Sequence, residues 1–145
     1  MNKLISNINY SKVKLHKIKS NHYKLIAKIN NIKGWFIVDT GASNTFVDNK
    51  SRDKFKLKYP KQNIKAQGAG PNKINARVYK RNSITIGSFK FHNTKIATID
   101  LSPINNTFIE AKLKKIDGVI GSDTLKKSKA IIDFDKNYIY LKNID

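Results

Sequence analysis

Asp39 is the acidic residue whose place in the sequence best suits chemistry. Four apolar residues, 35–38, run straight into Asp39, Thr40 and Gly41. The apolar run is short and rich in β-branched and aromatic residues, which predicts a buried strand. An ionised carboxylate at the end of such a strand is costly unless it is held by partners, and Gly41 allows the backbone to turn sharply there. The pattern, with the Thr40 hydroxyl as a further donor and acceptor, predicts a positioned carboxyl group that transfers protons.

The other acidic residues have simpler structural explanations. Nine aspartates and one glutamate stand among 29 lysines and arginines. Asp48 and Asp123 precede short helical patterns and are predicted to cap helices, and Asp117 precedes a glycine in a predicted turn. Asp133 lies in a predicted strand, where it is expected to point outward or to pair with a lysine. Asp39 is therefore the candidate for acid–base chemistry.

Two segments of the chain resemble the catalytic core of aspartic proteases. Asp39, Thr40, Gly41, Ala42 and Ser43 resemble the active-site motif of that family, and the residues 117–121, Asp-Gly-Val-Ile-Gly, resemble the apolar segment that passes beside the catalytic loop. Because Asp-Thr-Gly occurs once, the chain resembles the single-domain, retropepsin-like branch, in which two copies build one site. Motif and composition together suggest a bacterial-type member. The resemblance covers residues 20–145, and residues 1–19 are predicted to be a basic N-terminal arm or an edge strand.

The resemblance implies a homodimeric aspartic endopeptidase that acts on peptide or protein substrates. In such enzymes the two carboxyl groups lie about 3 Å apart and share one proton, so one activates water while the other protonates the peptide carbonyl. Asp39 from each copy would form this pair. Thr40 would form hydrogen bonds across the dimer, and Gly41 would leave space beside the scissile bond.

The same resemblance implies which residues contact the substrate. Ala42 would line the cleft, Val119 and Ile120 would form apolar pockets for side chains, and Gly121 would allow the chain to pass closely behind Asp39. A flap hairpin is expected between the two motifs, with a glycine-rich tip that can move and approach a peptide backbone closely. The predicted tip consists of Gly68, Ala69 and Gly70. A plain hairpin turn is the alternative interpretation of that tip.

The remaining pattern predicts a mostly β domain, a closed barrel or sandwich with one or two short helices. Short strands with turn signals recur along the chain. Brief helices are predicted from Asp48 to about Phe55 and from Ser122 or Asp123 to about Lys127. Residues 100–110, which contain Pro103 and two asparagines, are predicted to be irregular.

The high positive charge leaves other functions open. The formal net charge is +19, and only three of the basic residues are arginines. A basic nucleic-acid-binding β domain would explain the charge, but base-specific recognition favours arginine and the lysines occur in almost every segment. A non-catalytic protease-fold module that binds peptides or dimerises is the second alternative.

Metal, cofactor and membrane functions have little support in the sequence. The chain has no cysteine and three scattered histidines, so no zinc site is predicted, and no cofactor is expected. No apolar run approaches the ~20 residues of a membrane span. Residues 1–7 lack the apolar stretch of a signal peptide, which favours a cytoplasmic location.

Overall fold

The computed structural model describes residues 9–58, 64–65 and 75–143 of the 145-residue chain. It contains two α-helices and a short 3₁₀ helix, Asn49–Ser51. The α-helices are α1 (Ser102–Glu110) and α2 (Ser122–Lys127). The strands are β1 (Tyr10–Lys14), β2 (His16–Lys17), β3 (Tyr23–Ile29), β4 (Ile32–Val38), β5 (Phe46–Asp48), β6 (Ile64–Lys65), β7 (Asn75–Ile86), β8 (Phe89–Ile99), β9 (Gly118–Ile120), β10 (Ile131–Asp133) and β11 (Tyr138–Lys142).

Six of these strands form a closed barrel. Hydrogen bonds join them in the order β3-β4-β9-β5-β8-β7, and pairing of Ile29 with Ile84 closes the barrel between β3 and β7. The alternation along β3 explains its place, because Leu25 and Ala27 are buried whereas Ile26 between them is exposed. The predicted mostly β, closed fold is confirmed.

Two apolar clusters stabilise the domain. The larger one includes Phe36 and Ile120, which are fully buried, and it also takes in Leu15 from the N-terminal segment and Leu141 from β11. Burial of a side chain of this size contributes about 1.5–3 kcal/mol. The smaller cluster contains side chains from β4, β9 and the region of α1. Because neighbouring residues on a strand point to opposite faces, β4 and β9 each contribute to both clusters.

The N-terminal segment pairs with the C-terminal strands in a second, three-stranded sheet. Its order is β1-β11-β10, and Val13 in β1 lies opposite Ile139 in β11. Leu15, which follows β1, is 1% exposed in the main core. Residues 10–15 are thus packed against the rest of the domain, with β1 at one edge of this sheet.

The prediction of an irregular segment at 100–110 was wrong, because residues 102–110 form α1. Pro103 is compatible with the first turn of a helix, where its missing N–H is not needed. Asn105 resembled a loop residue in the sequence, but its amide is buried and forms two hydrogen bonds with Ile116, at 2.9 Å to the N–H and 3.2 Å to the carbonyl. A tertiary contact therefore stabilises a helix that local pattern does not indicate. In the described part of the chain, no helix is long and apolar enough to cross a bilayer.

The two predicted helix caps have other roles. The segment after Asp48 is a single 3₁₀ turn, and the Asp48 carboxylate accepts a hydrogen bond from the Leu101 N–H at 3.3 Å instead of capping it. The helix predicted near 122–127 is present as α2, with Gly121 at its N-terminal boundary. Asp123 lies in the first turn of α2 and binds Thr45. Both carboxylates thus connect segments that are distant in sequence.

Candidate active site

The two segments singled out in the sequence are neighbours in the barrel. β4 and β9 run parallel, with Ile37 opposite Val119 and Val38 opposite Ile120. The N–H of Asp39 donates to the carbonyl of Ile120 at 3.0 Å, which extends the pairing by one residue. Asp39 therefore stands at the point where a strand of the closed barrel ends and its loop begins.

The loop after β4 fixes the orientation of the Asp39 carboxylate. The Gly41 N–H donates to Asp39 Oδ1 at 2.9 Å, and the Ala42 N–H donates to the Asp39 carbonyl at 3.2 Å. Asp39, Thr40 and Gly41 are all exposed. The result is a carboxylate that the backbone holds in one orientation and that remains open to a ligand.

The backbone at Gly121 and Ser122 passes close to the backbone of the Asp39 loop and supports it. The Ser122 N–H donates to the Ala42 carbonyl at 2.7 Å. A Cβ atom on Gly121 would lie 2.6 Å from the carbonyl carbon of Asn44 and 2.9 Å from the Ala42 oxygen. Because real Cβ atoms essentially never approach backbone that closely, only glycine at position 121 lets the loop keep this path.

Thr45 is the centre of a buried polar network that the sequence did not reveal. Its hydroxyl donates to Asp123 Oδ1 at 2.8 Å, lies 2.7 Å from the Thr124 hydroxyl and accepts the Gly121 N–H at 3.1 Å. Asp123 Oδ2 also accepts the backbone N–H of Thr45 at 3.1 Å. The network connects the segment that follows the Asp39 loop to the start of α2. The residues that bind the Thr45 hydroxyl lie 76 to 79 positions after Thr45 in the sequence, so no local pattern could have indicated them.

Asp117 contacts the strand that leads to Asp39. Its Oδ2 accepts the Trp35 N–H at 2.8 Å, and its Oδ1 lies 2.8 Å from Lys54 Nζ. Asp48, Asp117 and Asp123 are thus each held by other groups, and Asp39 is the exposed acid of the loop. In the described ranges, no cluster of three or more His, Cys, Asp or Glu residues is arranged to hold a metal ion.

The candidate substrate-contacting residues lie in different environments. Ala42 is half-buried and packs against the smaller apolar cluster, to which Val119 also belongs. Ile120 is fully buried in the main core, so its side chain fills the barrel and does not line a pocket with Val119. The alternation of a strand explains the difference, which the sequence-based prediction did not take into account.

The predicted flap tip, Gly68, Ala69 and Gly70, lies outside the described residues. The residues on either side of it in the sequence do pair. β6 is antiparallel to the start of β7, with Ile64 opposite Ala76 and Lys65 opposite Asn75. A β-hairpin pairing thus flanks the predicted tip in sequence.

Comparisons with known proteins agree with this geometry. Residues 25–124 match the family described as "Aspartyl protease", a range that runs from β3 through the Asp39 loop to the start of α2. No curated protein matches the chain.

Solved structures that share the fold include the following three. A retropepsin-like aspartic protease from Rickettsia conorii is 24% identical, with 93% of this chain and 92% of that chain covered and a TM-score of 0.58. The retroviral protease-like domain of Ddi1 from Leishmania major is 18% identical, with coverages of 83% and 88% and a TM-score of 0.58. The EIAV protease, solved with an inhibitor, is 15% identical, with coverages of 80% and 96% and a TM-score of 0.54. The predicted retropepsin-like fold is thereby confirmed, and the chain belongs to the aspartyl protease family.

Proposed function

We propose that the protein is an aspartic endopeptidase that acts as a homodimer. The observation that carries this proposal is the Asp39 loop, in which a carboxylate is exposed and oriented by the Gly41 N–H at 2.9 Å. One carboxylate per chain is insufficient for peptide hydrolysis, because the reaction needs both a base and an acid. A two-fold axis that brings two Asp39 residues together supplies both.

In the proposed mechanism the two carboxyl groups share one proton and titrate as a pair. The ionised carboxylate takes a proton from water as the water oxygen attacks the peptide carbonyl carbon, and the protonated partner gives its proton to the carbonyl oxygen. In the second step the protonated carboxyl group gives its proton to the leaving nitrogen as the C–N bond breaks, and the other carboxylate takes a proton from a hydroxyl of the intermediate, so the pair again holds one proton. Thr40 would connect the two loops, and Gly41 would leave space at the scissile bond.

Peptide binding is proposed to use the surfaces around this pair. Ala42, which is half-buried, would contact substrate side chains, and the hairpin with its tip at Gly68, Ala69 and Gly70 would close over the peptide from the opposite side. Val119 and Ile120 are both excluded from direct contact, because Val119 is 4% exposed in the smaller apolar cluster and Ile120 is fully buried in the main core.

The edge strand β10 is the surface we propose for the second copy. In the described part of the chain, β10 has β11 on one side and no strand on the other, so its outer N–H and C=O groups can pair with another strand. Ile131 and Ile132 are half-buried, and Phe134, which follows β10, is 63% exposed. An apolar edge of this kind suits a self-complementary interface.

This edge also lies close to the strands that lead to Asp39. The Phe134 ring is 5.4 Å from the Tyr23 ring, centroid to centroid. Tyr23 begins β3, and the next residue, Lys24, is paired with Ile37 in β4, two residues before Asp39. A two-fold axis near β10 would therefore be compatible with two neighbouring Asp39 loops.

Replacing Phe134 with Glu is expected to weaken dimerisation. An aromatic residue at the centre of an interface contributes about 2 kcal/mol or more, so the dissociation constant should rise at least about tenfold. Sedimentation equilibrium measures the constant. Ile26→Glu is the matched control, because Ile26 is 43% exposed on the outer face of β3. Equal dissociation constants for Phe134→Glu and the parent would exclude β10 and Phe134 from the interface.

Activity per chain is expected to rise with protein concentration and with moderate salt. Each copy carries a formal charge of +19, so association is opposed by repulsion, and salt screens this repulsion with a Debye length of about 10 Å at 0.1 M. Sedimentation at several salt concentrations, beside an assay that cleaves an unstructured protein, tests the proposed function. Full activity of a strictly monomeric species would contradict the shared site.

A further inference from the structure

The outward faces of β4 and β9 carry apolar side chains immediately beside Asp39. Ile37, two residues before Asp39, is 5% exposed, and its strand partner Val119 is 4% exposed. Ala42, on the other side of Asp39, packs against the same cluster. An apolar side chain of a bound peptide would be expected to enter at this position, next to the carboxylate.

That position is already occupied by the chain itself. Phe108 of α1 is 4% exposed and belongs to the same cluster as Ile37 and Val119. Leu101 and Ile116, on either side of α1 in the sequence, complete the cluster and are also buried. The helix thus covers the apolar surface that β4 and β9 present beside the catalytic loop.

Two sets of hydrogen bonds connect α1 and the residue before it to the rest of the domain. The buried Asn105 amide binds both the N–H and the carbonyl of Ile116, which leads into β9. Before the helix, the Leu101 N–H donates to Asp48 at the end of β5. After it, the Leu113 N–H donates to the Phe108 carbonyl at 2.7 Å. The Asn105 and Leu101 contacts hold the helix against the segment that leads into β9 and against the end of β5, and the Leu113 contact closes the C-terminal end of the helix.

The first turn of α1 is also stabilised by a local contact. The Ser102 N–H donates to Asp100 Oδ1 at 2.9 Å. Hydrogen bonds from the Ser102 hydroxyl and then from its N–H lower the pKa of Asp100, so this carboxylate stays ionised at neutral pH. Displacement of α1 by a substrate would break the buried contacts between Asn105 and Ile116, so the helix is expected to stay in place when a peptide binds.

We propose that Phe108 is a specificity-determining residue that fills the side-chain pocket beside Asp39, so that small side chains such as Gly, Ala and Ser are accepted there. This inference rests on the proposed endopeptidase function. A large side chain would have to displace a packed aromatic ring, and overpacking of this kind costs about 1–3 kcal/mol. A difference of that size corresponds to a preference of roughly 10- to 200-fold between substrates.

The test compares Phe108→Ala with the parent on two peptides that differ only at the residue before the scissile bond, Ala in one and Phe in the other. The parent should prefer the Ala peptide. The variant, which has lost the ring, should raise the ratio of kcat/KM for Phe over Ala at least about tenfold. Ile109→Ala is the matched control, because Ile109 is 49% exposed on the same helix. An unchanged ratio in a folded Phe108→Ala variant would overturn the proposal.

A second readout does not depend on catalysis. Removal of a buried ring leaves an apolar cavity, and such cavities bind benzene. Benzene should shift the methyl NMR signals of Ile37 and Val119 in Phe108→Ala but not in the parent or in Ile109→Ala. If Phe108→Ala does not fold, Phe108→Leu serves for the specificity measurement, and the benzene measurement is restricted to Phe108→Ala because Leu leaves too little space for benzene. If the parent, Phe108→Ala and Ile109→Ala all fail to cleave but Phe108→Ala binds benzene, the endopeptidase function is refuted. Phe108 then remains the residue that fills the pocket. Absence of benzene binding near Ile37 and Val119 would refute that role.

Discussion

Replacing Asp39 with Asn is expected to abolish peptide-bond cleavage while the fold remains intact. Asn has the same shape, and its side-chain oxygen can still accept the Gly41 N–H that binds Asp39 Oδ1 at 2.9 Å. It cannot take a proton from water or share one with its counterpart. Loss of a general acid or base typically costs 10²- to 10⁴-fold, and the homodimer would lose both. Cleavage of an unstructured protein, with thermal unfolding measured in parallel, checks both halves of the prediction.

A charge-matched control and a mixing experiment sharpen this test. Asp53→Asn makes the same chemical change at a side chain that is 94% exposed and pairs with Arg52, and it should retain the parental rate. Excess Asp39→Asn mixed with the parent should inhibit it, because each mixed dimer contains one carboxylate. If the Asn variant cleaved as fast as the parent, Asp39 would not be the catalytic acid. If the variant were inactive but did not inhibit the parent, the two copies would not share a site.

The Asp39→Asn variant also distinguishes between the alternative functions. A non-catalytic module would bind peptides or dimerise equally well with Asp or Asn at position 39, and the parent itself would show no cleavage. A nucleic-acid-binding domain would depend on its lysines and would be indifferent to this change. Dependence of cleavage on Asp39 is therefore expected of the endopeptidase alone.

The Asp39 loop could be predicted from sequence because its signals are local. An apolar, β-branched run followed by Asp-Thr-Gly identifies a buried strand and its end. The apolar segment around Val119 is equally short and ends in Gly121. The family resemblance implied that this segment passes beside the Asp39 loop, and the parallel pairing of β4 with β9, with Ile37 opposite Val119, agrees with that expectation.

The features that were missed depend on contacts between distant residues. α1 contains a proline and two asparagines, and it is stabilised by the buried contact of Asn105 with Ile116. Asp123 was interpreted as a cap, whereas its carboxylate binds Thr45, which is 78 positions away. Such partners cannot be identified by a pattern read along one strand or helix. Val119 and Ile120 were predicted to form apolar pockets, and nothing local indicated that Phe108 packs in one cluster with Val119.

Replacing Gly121 with Ala is expected to reduce both stability and activity. The new Cβ would lie 2.6 Å from the Asn44 carbonyl carbon and 2.9 Å from the Ala42 oxygen, and both are backbone atoms that cannot rotate away. Overpacking against backbone costs about 1–3 kcal/mol. The Ala42 backbone would have to move away from the new Cβ atom. Because the Ala42 N–H donates a hydrogen bond to the Asp39 carbonyl, this movement would also displace the Asp39 carboxylate. A displacement of about 1 Å in a catalytic group costs on the order of 10²-fold in rate.

Gly87→Ala is the control that distinguishes a loss of stability from a distortion of the Asp39 loop. Gly87 has φ +60° in the turn between β7 and β8, and a Cβ there would clash with the side chains of Ser11 and Val13. This variant should therefore unfold at a lower temperature too, while the Asp39 loop keeps its path. Both variants are compared at a temperature at which circular dichroism shows them folded, and kcat is measured there. We expect Gly121→Ala to have lost about 10²-fold and Gly87→Ala to match the parent. Equal kcat for the two variants would mean that the close crossing behind Asp39 does not position the carboxylate.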